Sequence, residues 1–259
     1  MILDDICVHR KEQLEREIAD ISRNSMKSRA KCADFPFLSF RDALKKESLS
    51  VICEVKKASP SKGLIKPDFH PVEIAKEYEK AGANAISCLT EEFYFQGSSK
   101  YLADIRREVN IPILRKDFII DEYQIYEAKT IGANAVLLIA AILSAEQMKE
   151  YQDLAHELSL QCLVEVHNQQ ELEKTMKFTP DVLGINNRNL KTFEVDLNTT
   201  EKIRKNVPCE TVLVSESGIK NNADMKMVRS LGADAVLIGE TLMRSENITT
   251  TLYQLRKGV

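Results

Sequence analysis

A four-residue phrase recurs along the chain at a fixed interval. Gly82-Ala83-Asn84-Ala85 returns as Gly132-Ala133-Asn134-Ala135 and again as Gly232-Ala233-Asp234-Ala235. The first two copies lie about fifty residues apart and the third about a hundred further on, so a fourth is due near 182. Thr179-Pro180-Asp181-Val182 stands there, a degenerate copy in which Asp181 precedes an apolar run as Asp234 does. Each copy closes an amphipathic stretch and opens an apolar one. Its glycine suits the position just past a helix, where φ is positive.

A period of that length holds two strand–helix units. Apolar runs fall at 51–55, 84–89, 111–115, 134–139, 160–166, 181–185, 211–214 and 234–238. Helical patterns separate them at 71–81, 98–108, 121–131, 144–158, 168–177, 197–206, 220–231 and 240–257. Ile74, Ala75, Tyr78 and Ala81, for example, form one apolar stripe. Runs rich in Val, Ile and Leu between amphipathic helices indicate parallel strands covered by helices. Eight such units predict a closed (β/α)8 barrel, the TIM-barrel architecture. A doubly wound open sheet is the alternative, disfavoured because no Gly-x-Gly-x-x-Gly follows the first strand.

The expected organisation is a helical extension over 1–46 and a barrel over 47–259, one structural domain with no room for a second. In the extension, Ile6, Leu14, Ile18 and Ile21 predict an amphipathic helix after Asp4 and Asp5 as a cap. Ser39 to Asp42 reads as a capping box opening a second helix through Leu44. Phe35-Pro36-Phe37 between them would anchor the segment on an apolar surface. The extension is long enough either to close one end of a barrel or to lie over its mouth.

Composition removes several classes of function. The net charge of −3 argues against a broad nucleic-acid footprint. The longest apolar run, 135–143, is too short to cross a bilayer, and no secretory signal precedes the first helix. The 6 cysteines form no CxxC pair and the 4 histidines are scattered, which predicts buried free thiols in a reducing cytoplasm and no zinc site.

In a barrel, chemistry sits where strands end. Period-2 alternation places Ile52, Glu54 and Lys56 on the inward face of strand 1, with Cys53 and Val55 toward the helices. The same reading turns Lys116 inward on strand 3, Glu165 on strand 5 and Glu216 on strand 7, with Asn186 at the end of strand 6. Charges converging in this way can pair and shift toward acid–base work. Ser217-Gly218 after strand 7 and Gly239-Glu240 after strand 8 occupy the loops that often hold phosphate in this fold. The loop Ser59-Pro60-Ser61-Lys62-Gly63 is a further candidate or a mobile lid, and Phe93, Tyr94, Phe95 and Phe118 either face a planar substrate or pack their loops.

The longer runs around these positions carry a resemblance. They are 54–63; Leu89-Thr90-Glu91-Glu92 with Phe95-Gln96-Gly97-Ser98; Leu114-Arg115-Lys116-Asp117-Phe118; Leu163-Val164-Glu165-Val166-His167; 184–190; Ser215-Glu216-Ser217-Gly218-Ile219; and Leu237-Ile238-Gly239-Glu240. In order and spacing the chain resembles the indole-3-glycerol-phosphate synthase family along its whole length, extension included. The resemblance implies a carboxy-lyase of tryptophan biosynthesis. Its substrate is a phosphosugar bearing an anthranilate ring, 1-(2-carboxyphenylamino)-1-deoxyribulose 5-phosphate, and its products are indole-3-glycerol phosphate, CO2 and water. It implies no metal and no organic cofactor.

By that resemblance Lys116 is the general acid, Lys56 binds the ring carboxylate and Glu165 is the base. Glu54 positions the lysines or takes part in proton transfer, and Asn186 and Glu216 bind substrate hydroxyls or orient Lys116. Arg188 contacts the anthranilate side or anchors its loop. Ser59, Pro60, Phe95, Phe118, Leu137 and Leu190 form the ring pocket, and Ser217, Gly218, Gly239 and the Glu240 backbone take the phosphate. Some family members carry Ser where this chain has Glu240, so its side chain is expected to turn outward. The expected state is a monomer or weak homo-oligomer, without nucleic-acid or membrane partners. The competing readings are a phosphoribosylanthranilate isomerase-like barrel and a non-catalytic phosphosugar-binding barrel.

Overall fold

The computed structural model describes residues 2–259. Its sheet comprises β1 (Ser50–Val55), β2 (Ala85–Leu89), β3 (Ile113–Lys116), β4 (Ala135–Ile139), β5 (Gln161–Val166), β6 (Val182–Asn186), β7 (Val212–Glu216) and β8 (Ala235–Ile238). Each strand pairs in parallel with its sequence neighbours, and β8 returns to β1 in the register Ser50↔Ala235 to Cys53↔Ile238, closing an eight-stranded barrel. The chain is a (β/α)8 TIM barrel.

The repeated phrase proves to be a joint between strands. Gly82, Gly132 and Gly232 follow helix ends with φ of +87°, +81° and +84°, a region open to glycine at little cost. The Asn or Asp two residues on then reaches across to the preceding strand. Asn84 Oδ1 accepts the N–H of Val51 at 2.9 Å, and Asn134 Oδ1 that of Ile113 at 3.1 Å. Asp181 Oδ2 accepts the N–H of Cys162 and Asp234 Oδ2 that of Leu213, both at 2.8 Å. Every odd strand is thus pinned at its start by the residue that introduces the next even strand. The degenerate copy at 181 keeps the one group the joint requires.

Alternation along the strands makes two apolar layers. Ile52, Leu114, Leu137, Leu163, Val214 and Leu237 fill the barrel interior. Val51, Cys53, Val55, Val136, Leu138 and Val164 pack outward against the helices. Those helices are α4 (Pro71–Lys80), α5 (Ser99–Arg106), α6 (Tyr123–Thr130), α7 (Ala145–Glu157), α8 (Gln169–Thr175), α9 (Asn198–Arg204), α10 (Asn222–Ser230), α11 (Glu240–Met243) and α12 (Ile248–Arg256), following three helices of the N-terminal segment. The single helix expected over 240–257 is two, because Asn247 caps a fresh helix by accepting the N–H of Thr250.

The N-terminal segment departs from expectation. It holds three helices, α1 (Ile2–Asp20), α2 (Arg23–Cys32) and α3 (Phe40–Leu44). Asp4 and Asp5 lie inside the first turn of α1 rather than ahead of it, where carboxylates favour the positive end of the helix dipole. α2 carries no apolar stripe for periodicity to mark, because it buries only Met26 and Ala30. Ser39 caps α3 by accepting the N–H of Asp42, while Asp42 itself faces Arg41 at 3.7 Å.

The segment serves both ends of the barrel. Phe40 and Leu44 of α3 join the interior core beside Ile52, Ala85 and Ala235 and plug the floor. Ile2, Leu3 and Ile6 of α1 line the cavity at the opposite end. Among the described residues, no helix is long and apolar enough to cross a membrane. The cysteines are all free, but only Cys53, Cys88 and Cys162 are buried; Cys32 and Cys209 are exposed and Cys7 is intermediate. The exposed pair falls on a polar helix and in a surface turn, outside the apolar runs.

Candidate active site

The C-terminal ends of the strands surround a cavity of roughly 570 Å³. Every residue assigned a role from the sequence lines it. Glu54 is buried near the end of β1, and Lys56, one residue beyond the strand, forms an ion pair with it. Across the cavity, Lys116 Nζ at the end of β3 lies 2.8 Å from Glu165 Oε2 and 3.3 Å from Glu216 Oε2. Asn186 ends β6 and accepts the N–H of Arg188 on its Oδ1 at 3.0 Å. Two glycines make room for this convergence. A Cβ on Gly184 would overlap Glu216 Oε1, and one on Gly239 would overlap Glu54 Oε1.

Burial and pairing set the charges. Burial opposes the Lys116 ammonium, but Glu165, Glu216 and Glu54 outweigh it and hold its pKa above the ordinary lysine value. Burial pushes Glu165 up, but Lys116 and His167 bring it well below the usual carboxylate range. Glu216 goes the other way. Burial raises it, Lys116 offsets only part, and the negative charge of Glu165 raises it further, to about 8. Two carboxylates flanking one lysine are therefore driven apart, one toward a persistent anion and one toward a proton carrier.

The loops complete the walls. Phe95 and Phe118 meet with ring centroids 5.9 Å apart, beside Leu137 on β4 and near Leu190. Phe93 and Tyr94 do not join them. Phe93 stacks on His9 of α1 at 4.0 Å, with Tyr94 edge-on to the same imidazole at 5.5 Å. Glu91 dictates this split by accepting the N–H groups of Phe93, Tyr94 and Phe95, which folds the loop back. Arg188 anchors its own loop, donating to the carbonyl of Phe193 at 3.1 Å while lining the cavity. Ser59 belongs to a small antiparallel ribbon, Ala58–Ser59 with Gly63–Leu64, and Pro60 sits in its turn.

After β7, Ser217 and Gly218 take φ of +67° and +95°, a sharp bend of the kind that gathers backbone N–H groups for an anion. Any side chain at Gly218 would meet Val195 at 2.6 Å. Gly239 precedes α11, and Glu240 is that helix's first residue. The Glu240 side chain turns to two cations, Arg244 at 3.1 Å and Lys62 at 3.6 Å.

Three contributors escaped the sequence reading. His167 lies just past β5, with Nε2 3.2 Å from Glu165 Oε1 and Nδ1 3.0 Å from Glu171 Oε2. The signal was available, since residue 167 falls two past 165 on the inward face of the strand. The second is a buried group behind the cavity, in which Arg10 of α1 donates to Asp117 Oδ1 at 3.0 Å and Arg115 to Asp117 Oδ2 at 3.0 Å. Both arginines are fully buried. The third is the apolar start of α1. Among the described residues, no group of three or more His, Cys, Asp or Glu side chains could hold a metal ion.

Fold and site together define a barrel of the enzyme-bearing class with buried lysine–carboxylate pairs at the mouth of its strands. Solved structures of similar fold include a thiamine phosphate pyrophosphorylase from Pyrococcus furiosus, with TM-score 0.61, 22% identity and 85% of this chain and 96% of that one covered. The N-acetylmannosamine-6-phosphate 2-epimerase from Clostridium perfringens has TM-score 0.63, 15% identity and 84% and 96% coverage. Sequence is far more specific. The chain belongs to the indole-3-glycerol phosphate synthase family, whose sequence profile matches residues 3–255. It is 49% identical over 258 residues to the indole-3-glycerol phosphate synthase of Acetivibrio thermocellus, covering 99% of each chain. It is 50% identical over 257 residues to that of Endomicrobium trichonymphae (99% and 100% covered), and 56% identical over 220 residues to that of Geobacillus sp. strain WCH70 (84% and 85% covered).

Proposed function

We propose that the chain is an indole-3-glycerol phosphate synthase that closes, decarboxylates and dehydrates 1-(2-carboxyphenylamino)-1-deoxyribulose 5-phosphate. The observation that carries the reading is Lys116 held between Glu165 and Glu216 and facing the Glu54–Lys56 pair across one cavity. Closure needs a proton on the C2′ carbonyl oxygen as the ring carbon attacks. The Lys116 ammonium, kept charged by its carboxylates, supplies it. The anthranilate ring lies against Phe95, Phe118, Leu137 and Leu190, with Ser59 and Pro60 forming the near edge. Its carboxylate meets Lys56, whose position Glu54 fixes. Loss of CO2 returns an aromatic ring. Dehydration then requires a proton to be taken from carbon and one to be given to the departing hydroxyl. Glu165, ionised, is the base, and Glu216 orients Lys116 and stores a proton beside it.

Asn186 binds a substrate hydroxyl, and Arg188 braces the loop over the ring. The phosphate sits on the backbone of Ser217, Gly218, Gly239 and Glu240, away from the acid–base centre, so substrate affinity and chemistry have separate anchors. Residues 1–46 act as an extension of a single barrel domain over 47–259. One copy carries every group the reaction needs, so a monomer or weak homo-oligomer suffices. A biosynthetic role and six free thiols favour the cytoplasm.

The test is direct because the chain contains 0 Trp. Adding the carboxyphenylamino-deoxyribulose phosphate to micromolar enzyme should generate indole fluorescence above a weak tyrosine background. Folded protein that gives no signal would remove the reading. Turnover of phosphoribosylanthranilate instead would move the chain to an isomerase, and phosphate binding with zero turnover of either would make it a binding protein.

A further inference from the structure

His167 occupies a place that the acid–base scheme above leaves unused. It lies one residue beyond β5, between two carboxylates, with its side chain only 9% exposed. Glu165 faces its Nε2 at 3.2 Å and Glu171 faces its Nδ1 at 3.0 Å. An imidazole with a carboxylate at each nitrogen is stabilised as the doubly protonated cation. Glu171 is itself built in. Its Oε2 also accepts the backbone N–H of His167 at 2.8 Å, its Oε1 accepts from Asn168 Nδ2 at 2.7 Å, and its own N–H donates to the Asn168 cap at 2.9 Å. The ring therefore has no rotational freedom that would not break a charged contact. Glu165 in turn has a basic group at each oxygen, Lys116 hydrogen-bonded to Oε2 and His167 Nε2 in ion-pair range of Oε1 without an aligned hydrogen bond.

We infer that His167, oriented by Glu171, is a positioning residue that clamps Glu165 from the side opposite Lys116 and keeps it an anion. The inference rests on the assignment of Glu165 as base. Its consequence is a fixed direction of proton flow. Lys116 and Glu165 share a hydrogen bond, so the Lys116 proton has an unproductive route onto Glu165. A cation on the far oxygen disfavours that transfer while Lys116 is charged. Once Lys116 has given its proton to the substrate, Glu165 loses one of its two cations and becomes the stronger base that the dehydration step needs. The other charged groups around this pair are Glu216 on β7 and Glu54 on β1, both anionic when ionised. His167 and Lys116 are thus the cations that hold Glu165 in its charged form. Burial opposes the imidazolium, but its two carboxylates raise its pKa to about 10.

The experiment combines ring-nitrogen NMR of the intact protein with pH profiles of His167→Asn and Glu171→Gln. In the wild type the His167 nitrogens, assigned by their loss in the Asn variant, should both remain protonated from pH 6 to 8. His167→Asn should lower kcat roughly tenfold to a hundredfold with KM changed less than about threefold. Its acidic kcat limb should move up by about one pH unit, because Glu165 without its second cation protonates more readily. Glu171→Gln should shift the limb in the same direction by less, and carries the test alone if the Asn variant does not fold. An unmoved acidic limb, or a His167 ring that is neutral at pH 7, overturns the inference. Wild-type protein without turnover would defeat the proposed function instead, and the NMR arm would still decide whether the clamp exists.

Discussion

Strand β3 separates two buried charge clusters that lie back to back. Lys116 points into the barrel, while Arg115 turns to the other side and meets Asp117, which follows the strand. The outer cluster is closed on itself. Asp117 accepts from Arg10, Arg115 and the Thr90 hydroxyl, Arg115 also reaches Glu127 at 2.6 Å, and Arg10 is held by Glu17 at 3.1 Å. The inner cluster is open. Lys116, Glu165 and Glu216 all line the cavity. Burial of charge is costly in both places, so the difference lies in what the cost serves. The outer cluster ties α1 to the strand that presents Lys116. The inner one lines the cavity.

If that division holds, substitutions on one strand should separate turnover from stability. The largest effect belongs to Lys116→Ala, expected to lower kcat about 10²–10⁴-fold with an unchanged circular dichroism spectrum. A kcat within tenfold of wild type would move the general acid elsewhere. Asp117→Ala should act mainly on the fold. It strands Arg10 and Arg115 side by side without their shared anion, a loss of about 3–5 kcal/mol in urea unfolding. Asp117 is held below the ordinary carboxylate value because its two arginines outweigh the effect of burial. Its contribution is therefore present above that ordinary value and fades as pH falls through the depressed one. A cost under about 1 kcal/mol would make the outer cluster ornamental and end the contrast.

The inner cluster was legible in the sequence and the outer one was not, for a physical reason. Inward-facing charges at strand ends betray themselves, because alternation assigns them a side and a barrel interior is otherwise apolar. Glu54, Lys116, Glu165 and Glu216 could each be placed that way. Arg10, Gln13 and Glu17 are spaced along a helix in a manner that equally describes a solvated face. Only Asp117, just past the end of β3 and 107 positions away from Arg10, makes that face a buried one. The same long-range dependence hid the choice between floor and mouth for the extension, which the structure resolves by giving α3 to one and α1 to the other. α2 offered too few apolar residues to form a stripe, and the break before Ile248 rests on a single cap by Asn247. The strands, by contrast, were announced twice, by their apolar runs and by the Asn or Asp joints between them.

Glu216 lets the contrast be sharpened within the inner cluster. Its pKa of about 8, against an ordinary 4.5, means that the folded protein binds this proton more tightly than the unfolded chain does. Stability is therefore lost as pH rises from the ordinary value through about 8. Glu216→Gln removes the titrating group and should stabilise the protein by about 1–2 kcal/mol at pH 8, with the gain shrinking toward pH 5. Turnover should fall at the same time, because Lys116 loses an orienting carboxylate. The outer cluster offers no such trade, and a variant that loses stability at pH 8 would place Glu216 among the purely structural charges.

The smallest effect is expected at the rim, where charge is neither buried nor committed to the fold. Glu240 is about one-third exposed and pairs with two cations, Arg244 and Lys62. Pairs of this kind contribute about 0–1 kcal/mol, so Glu240→Ser should leave the urea midpoint almost unchanged. Its carboxylate, however, stands beside the backbone expected to bind a phosphate, where like charges repel. Removing it releases Lys62 and Arg244 to face the dianion. KM should then fall about twofold to threefold at low ionic strength, and the gain should vanish in high salt as the exposed charges are screened. Glu240 pairs with neither Lys116 nor its carboxylates, so kcat should stay within about twofold. A large drop in kcat would mean that Glu240 reaches the acid–base centre through Lys62 and the loop after β1, and that the rim belongs to the inner cluster after all.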